Sequence, residues 1–166
     1  MQDEARWLAD LAEIYRDADE AFSGWSCPAS TECCRFGITG REPYVTSIEL
    51  AAVRRALAKR GGARSFRHAA PLASGDAAPQ PSTGGPRRLP VTERTCPMLT
   101  EQGRCAIYAD RPLGCRTFFC HQAEPGTPVR HRDLLALVRR IQELAARHQP
   151  GGDQGRPLTR ALQGGG

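Results

Sequence analysis

The sequence predicts a small, mostly α-helical, cysteine-rich and metal-bound domain, with about three main helices and small irregular or short-strand parts. Apolar residues recur at three- and four-residue spacing in three segments, and seven cysteines lie in two groups between them. At 166 residues, with 40% apolar and 25% charged residues, the chain can form one domain with its own core. We place that domain at residues 1–148.

The first helix is predicted from Asp3 to about Phe22. Its apolar residues lie on one helical face: Trp7, Leu8, Leu11, Ile14, Tyr15, Ala18 and Phe22. Such a face typically packs into a core and carries no chemistry of its own.

The second helix follows the first cysteine group. Thr46 and Glu49 have the spacing of a capping box at its start, and Gly61 can end it. The third helix is predicted from about Arg132 to His148, with an inward face of Leu134, Leu135, Leu137, Val138, Ile141 and Leu144.

The region between the second and third helices combines short elements with most of the cysteines. Pro112 can start a short helix after Asp110, and short extended pieces are predicted near Val91 and at Ala106 to Tyr108.

Two segments are predicted to lack regular structure. Residues 61–88 are rich in Gly, Pro, Ala and Ser and nearly free of large apolar side chains, which predicts a flexible insertion. Residues 149–166 are Gly-rich and are predicted to form a disordered tail.

Charge and hydropathy narrow the function classes. The net charge is +5, but the 23 basic residues are interleaved with 18 acidic ones, so nucleic-acid binding is not expected. No apolar run approaches the roughly 20 residues that span a bilayer, and the acidic, amphipathic start of the chain is unlike a secretory signal. We therefore expect a cytoplasmic protein without membrane attachment, whose thiols stay reduced.

The cysteines are the strongest functional signal. They form two groups: Cys27, Cys33 and Cys34, then Cys96, Cys105, Cys115 and Cys120. Seven independent core cysteines would scatter along the chain, and disulfides are disfavoured by the odd count and the reducing compartment. Metal binding is therefore favoured, since thiolates are soft ligands for zinc, copper(I) and iron–sulfur clusters.

The spacing leaves the number of sites open. In an extended segment Cys33 and Cys34 would point to opposite sides, so they could serve two sites, or one could ligate while the other packs. His121, directly after Cys120, could complete a second four-ligand site. Four arginines near the cysteines could donate hydrogen bonds to sulfur: Arg35, Arg104, Arg111 and Arg116.

The segments "CPASTECCRF", "TSIELAAVRRAL" and "CPMLTEQGRCAIYADRPLGCRTFFC" resemble the bacterial YkgJ family of cysteine-cluster proteins, also described as the CxxCxxCC zinc- or iron-chelating domain. The resemblance covers roughly residues 25–120. It departs at Ser30, where the family's first motif has its second cysteine. The resemblance implies metal binding by Cys27, Cys33, Cys34, Cys96, Cys105 and Cys115, with Cys120 as a further candidate.

The leading functional prediction is a metal-binding protein that chelates zinc or iron, or holds an iron–sulfur cluster, through these thiolates. An iron–sulfur redox or methyl-transfer enzyme is the less favoured alternative, because no phosphate loop, SAM-binding signature or CxxxCxxC motif is present. Its candidate acid–base groups are Glu32, Tyr108, Asp110 and His121. A third alternative is a metal-trafficking or adaptor protein, and the sequence identifies no protein partner.

Overall fold

The computed structural model describes residues 2–25, 31–61, 94–118, 130–150, 153 and 155–163. Its longer helices are α1 (Gln2–Ala21), α3 (Ser47–Lys59) and α5 (His131–His148), and its short ones are α2 (Phe36–Thr39), α4 (Leu113–Arg116) and α6 (Leu158–Gln163). Two 3₁₀ turns lie at Glu32–Cys34 and Tyr108–Asp110, and two short strands are β1 (Tyr44–Val45) and β2 (Arg156–Pro157). The predicted mostly α-helical fold class is confirmed.

The three long helices pack on one another through their apolar faces. We call their shared core the helical cluster: Leu11, Ile14, Tyr15, Ala18, Ile48, Leu113, Leu137, Ile141, Leu144 and Ala145. The capping box of α3 is present, because the Glu49 carboxylate accepts a hydrogen bond from the Thr46 backbone N–H at 3.0 Å. Each long helix starts and ends close to its predicted bounds.

A second core lies on the other side of α3. We call it the cysteine-side cluster: Cys34, Phe36, Val45, Leu50, Val53, Ala56, Leu57, Cys96, Met98, Ile107, Leu158 and Ala161. Apart from the residues of α3, its members come from short elements and turns. Helix α3 therefore lies between an ordinary helical core and a core that includes thiols.

The prediction of a disordered tail is wrong over residues 155–163. Strand β2 pairs antiparallel with β1, with Tyr44 opposite Pro157. Helix α6 follows, and Leu158 and Ala161 are each 1% exposed in the cysteine-side cluster. The high glycine content of residues 149–166 suggested disorder, but this segment includes a short amphipathic helix. Its apolar residues Leu158 and Ala161, three positions apart, pack into the cysteine-side cluster.

The predicted extended piece at Ala106 to Tyr108 is also wrong. Ala106 and Ile107 lie in a turn that leads into the 3₁₀ turn at Tyr108. Sheet-like pairing in this region consists of an isolated bridge between Leu99 and Cys105, flanked by hydrogen bonds from Ala106 N–H to the Met98 carbonyl and from Thr100 N–H to the Arg104 carbonyl, both 2.8 Å. Val91 and residues 62–88 of the predicted insertion lie outside the described residues.

Candidate metal centre

A cavity of about 370 Å³ lies between the two cysteine groups. All five cysteines of the described part of the chain line it: Cys33, Cys34, Cys96, Cys105 and Cys115. Cys27, Cys120 and His121, which the sequence also predicts as ligands, lie outside the described residues, as does Ser30. The fold therefore brings thiols from both groups to one space.

The adjacent pair Cys33 and Cys34 faces the same cavity. Thr31 adopts a left-handed conformation (φ 61°), and the chain then turns as a 3₁₀ helix, with Cys34 N–H donating to the Thr31 carbonyl at 2.8 Å. This turn brings the two Sγ atoms to 3.8 Å from each other. An extended backbone serving two separate sites is therefore not what the structure shows.

Cys34 and Cys96 join the two cysteine groups directly. Cys96 N–H donates a 2.7 Å hydrogen bond to the Cys34 carbonyl, next to an antiparallel bridge between Arg35 and Thr95. Both thiol side chains are buried, each residue being 7% exposed. Two segments far apart in sequence thus meet at their cysteines.

Cys115 is positioned by helix α4. Pro112 precedes this helix, as the sequence predicts, and its carbonyl accepts a 2.9 Å hydrogen bond from Cys115 N–H. Gly114 allows the close approach to β1, since a Cβ there would lie 3.0 Å from the Pro43 Cβ. The helix therefore presents Cys115 to the cavity while its other side packs against Pro43.

The environment favours protonated thiols when no metal is bound. Burial raises the pKa of Cys105 and of Cys115, and the hydrogen bond with Cys34 together with burial raises the pKa of Cys33. The hydrogen bond with Cys33 lowers the pKa of Cys34, but the hydrogen bond with Cys96 and burial outweigh it and raise this pKa to about 12. A metal ion that binds here must therefore displace protons.

Two of the four candidate arginines, Arg111 and Arg116, line the cavity. The Arg116 guanidinium is engaged elsewhere, because it donates to the carbonyls of Arg111 and Ala109 and pairs with Asp19. Arg111 donates to the Tyr108 carbonyl at 3.1 Å, lies over the Tyr108 ring, and lowers the pKa of Cys33 and of Cys105 through its charge. Of the two arginines that line the cavity, Arg111 is therefore the one whose charge partly offsets the raised pKa of these thiols, and Arg60 also acts in this direction on Cys105.

The remaining wall of the cavity is largely apolar and aromatic. Sequence reasoning missed these residues as part of a site: Phe22, Trp25, Met98, Ile107, Phe118 and Leu158. Of the candidate acid–base groups, Tyr108 lines the cavity, whereas Glu32 and Asp110 do not. A weak signal existed for Phe22, which ends the apolar face of the first helix, but Leu158 carried none.

The donor set fits a soft metal ion, although the thiols are not gathered into a complete ligand shell. Thiolates are the ligands that zinc and iron–sulfur sites use. Within the described ranges, no group of three or more His, Cys, Asp or Glu side chains is arranged so that it could hold a metal ion. The five thiols share one cavity but not yet one coordination geometry.

A family comparison covers both cysteine groups. The family model "CxxCxxCC: Putative zinc- or iron-chelating domain" matches residues 26–134, roughly two-thirds of the chain. The chain belongs to the CxxCxxCC family. The matched region contains every cysteine of both groups, and the CxxCxxCC description names chelation of zinc or iron as the activity. No curated protein and no solved structure matches the chain.

In the part of the chain that the structure describes, no helix is both long enough and apolar enough to cross a bilayer.

Proposed function

We propose that this CxxCxxCC protein binds zinc or iron through Cys33, Cys34, Cys96, Cys105 and Cys115. The observation that carries the proposal is that thiols from both cysteine groups line one cavity. Cys27, Cys120 and His121 remain predicted ligands, which could supply positions that the described thiols leave open.

The distance between the Cys33 and Cys34 sulfur atoms favours the binding of one metal ion by both thiols. Their sulfur atoms are 3.8 Å apart. Two thiolates bound tetrahedrally at about 2.3 Å from one zinc ion would be separated by roughly 3.8 Å. The pair can therefore ligate one ion without a large rearrangement.

A bound metal would cross-link segments that contain little regular secondary structure. In the described residues, the cysteine-bearing segments consist of 3₁₀ turns, one-turn helices and isolated bridges. Coordination bonds to one metal ion can cross-link segments that share few backbone hydrogen bonds. The free energy of metal binding then contributes to the free energy of folding. This favours a structural metal site, in which the bound ion stabilises the fold.

A second candidate, metal transfer, is favoured by the exposure of some thiols. Cys33, Cys105 and Cys115 are only partly buried and face the cavity, whereas Cys34 and Cys96 are buried. Exchangeable metals need accessible thiolates. The two candidates differ in how fast the native protein gives up its metal to a chelator.

The first test is composition. The protein is purified without oxygen from unsupplemented cells, and zinc, iron, copper and acid-labile sulfide are measured per chain together with the visible spectrum. We expect a colourless protein with about one or two zinc ions, or a coloured one with iron. Iron with an equal amount of sulfide would identify an iron–sulfur cluster and would favour the redox or methyl-transfer enzyme. A metal-free protein would overturn the proposal.

The second test assigns the ligands. Cys96→Ser replaces a soft sulfur donor by a hydroxyl, and Val53→Ala, in the same cluster, is the matched control that weakens packing but leaves every cysteine in place. We expect metal content to fall strongly in Cys96→Ser and to stay at the wild-type level in folded Val53→Ala. Full metal content in both variants would remove Cys96 from the ligand set.

The cytoplasmic location and the absence of nucleic-acid binding stay predictions. Both rest on the sequence, in which clustered thiols favour a reducing compartment and the basic residues form no stripe. Cell fractionation and a salt-dependent DNA- and RNA-binding assay would test them.

A further inference from the structure

Residues 155–163, which we call the 155–163 strap, contribute to the wall of the thiol cavity. They lie outside residues 26–134, the part of the chain that matches the CxxCxxCC family. Leu158 is 1% exposed, lines the cavity and packs in one apolar cluster with Cys34 and Cys96. A segment beyond the family match thus borders the buried thiols.

The strap is fixed to the chain just before helix α3. Beyond the β1–β2 pairing, Leu158 N–H donates to the Pro43 carbonyl at 3.0 Å. The Thr159 N–H and hydroxyl both donate to Glu42 Oε1, at 2.7 and 2.6 Å, and the Glu42 side chain is only 12% exposed. These bonds set the position of Leu158, which is anchored through its own N–H and is followed by the anchored Thr159.

The start of the strap also requires a special backbone. Gly155 has φ +75°, and a Cβ there would lie 3.3 Å from the Val45 carbonyl oxygen. A left-handed glycine in close contact with β1 lets the chain turn directly into β2. Leu158 is therefore held against the cysteine-side cluster by three features: the turn at Gly155, the β1–β2 pairing and the hydrogen bonds to Pro43 and Glu42.

We propose that the 155–163 strap is part of the metal site, and that Leu158 is a positioning residue that closes the cavity wall over Cys34 and Cys96. The closed wall limits access of water and competing ligands to these sulfurs and slows metal release. The inference rests on the proposed metal-binding function, but the shielding of the thiols can be measured with or without metal.

The test compares Leu158→Ala with Leu57→Ala. Both leucines are buried in the cysteine-side cluster, but Leu57 is not part of the cavity wall, so it controls for lost packing. In reduced, metal-free protein under native conditions, we expect the thiols of Leu158→Ala to react with Ellman's reagent about tenfold faster than those of Leu57→Ala, because local opening suffices. In metal-loaded protein, we expect Leu158→Ala to transfer its metal to a colorimetric chelator faster than Leu57→Ala does.

Equal acceleration in the two leucine variants would overturn the proposal, since Leu158 would then be an ordinary core residue. If Leu158→Ala does not fold, Glu42→Ala provides the same test, because it removes the anchor of Thr159 without altering a residue of the cavity wall. Thiol reactivity equal to that of the wild type in Glu42→Ala would also overturn the proposal. If the wild-type protein contains no metal while Leu158→Ala still exposes its thiols selectively, the proposed function fails and the shielding stands.

Discussion

The helical cluster and the cysteine-side cluster meet at α3 but are built in different ways. The helical cluster joins three long helices whose apolar faces are visible in the sequence as regular spacing. The cysteine-side cluster joins residues of α3 to short elements, a two-residue strand and thiols. From this difference we expect that apolar packing alone stabilises the helical cluster, whereas the proposed metal would add cross-links to the cysteine-side cluster.

Metal removal should separate the two regions most strongly. Structural zinc sites have apparent binding free energies of about 10–16 kcal/mol at neutral pH, and that free energy contributes to folding. We expect chelation to abolish amide protection in residues 31–37 and 94–106, while α1 and α5 keep most of theirs. Hydrogen exchange followed by mass spectrometry measures this. Uniform loss of protection along the chain would show that the two clusters unfold as one unit.

Leu144→Ala should produce the opposite pattern. Leu144 is fully buried in the helical cluster, and truncation of a buried leucine costs about 2–5 kcal/mol. We expect a lower urea midpoint by circular dichroism with an unchanged metal content in the folded protein. Loss of metal from folded Leu144→Ala would show that the helical cluster also shapes the cavity.

Arg116→Met tests the connection between the regions. Arg116 lines the cavity, pairs with Asp19 of α1 and lies over the Tyr15 ring at 4.3 Å. Because the variant leaves two carbonyls without their donor and removes one of the two arginine partners of Asp19, we expect a loss of about 1–3 kcal/mol in the free energy of unfolding. The control is Arg140→Met, which removes an exposed pair with Asp17 and should cost less than about 1 kcal/mol. Equal losses in the two variants would contradict a connecting role.

Glu49 should give the smallest effect, visible in the pH dependence of stability. Burial raises the pKa of Glu49 above its usual 4.5, against hydrogen bonds that lower it. Above pH 4.5 the unfolded state releases this proton first, so the folded state binds more protons and the free energy of unfolding falls as pH rises, until Glu49 ionises in the folded state.

Glu49→Gln removes this titration. The variant should be less stable overall, because both Glu49 carboxylate oxygens accept hydrogen bonds, from Thr46 N–H and Leu113 N–H, whereas only one terminal atom of glutamine can accept. The downward slope above pH 4.5 should nevertheless be weaker than in the wild type. Urea midpoints measured for both proteins at several pH values provide the comparison, and parallel profiles would show that Glu49 does not titrate differently in the two states.

The same contrast explains what could be predicted from the sequence. The three long helices and the capping box at Thr46 were predictable because their signals are local and repeat with the helical period. The orientation of Cys33 and Cys34 was not, because it depends on the left-handed conformation of Thr31, a residue type that rarely adopts it.

The cavity wall was harder still to predict. Leu158 reaches the thiols through pairing with Tyr44 and Val45, residues more than a hundred positions earlier, and no local pattern records such a contact. The cysteine groups themselves were recognisable, and their placement around one cavity needed only that the two segments meet, as Cys34 and Cys96 do.

The position of the strap in the chain also has a consequence for biosynthesis. A ribosome makes a protein from its amino end, and structure can form while synthesis proceeds. Every cysteine is therefore made before Leu158, so the thiols of a nascent chain lack this part of the cavity wall until the strap is made and docks. If Leu158 shields the thiols as proposed, metal can enter the site before the strap docks, and slow release begins when the strap is in place.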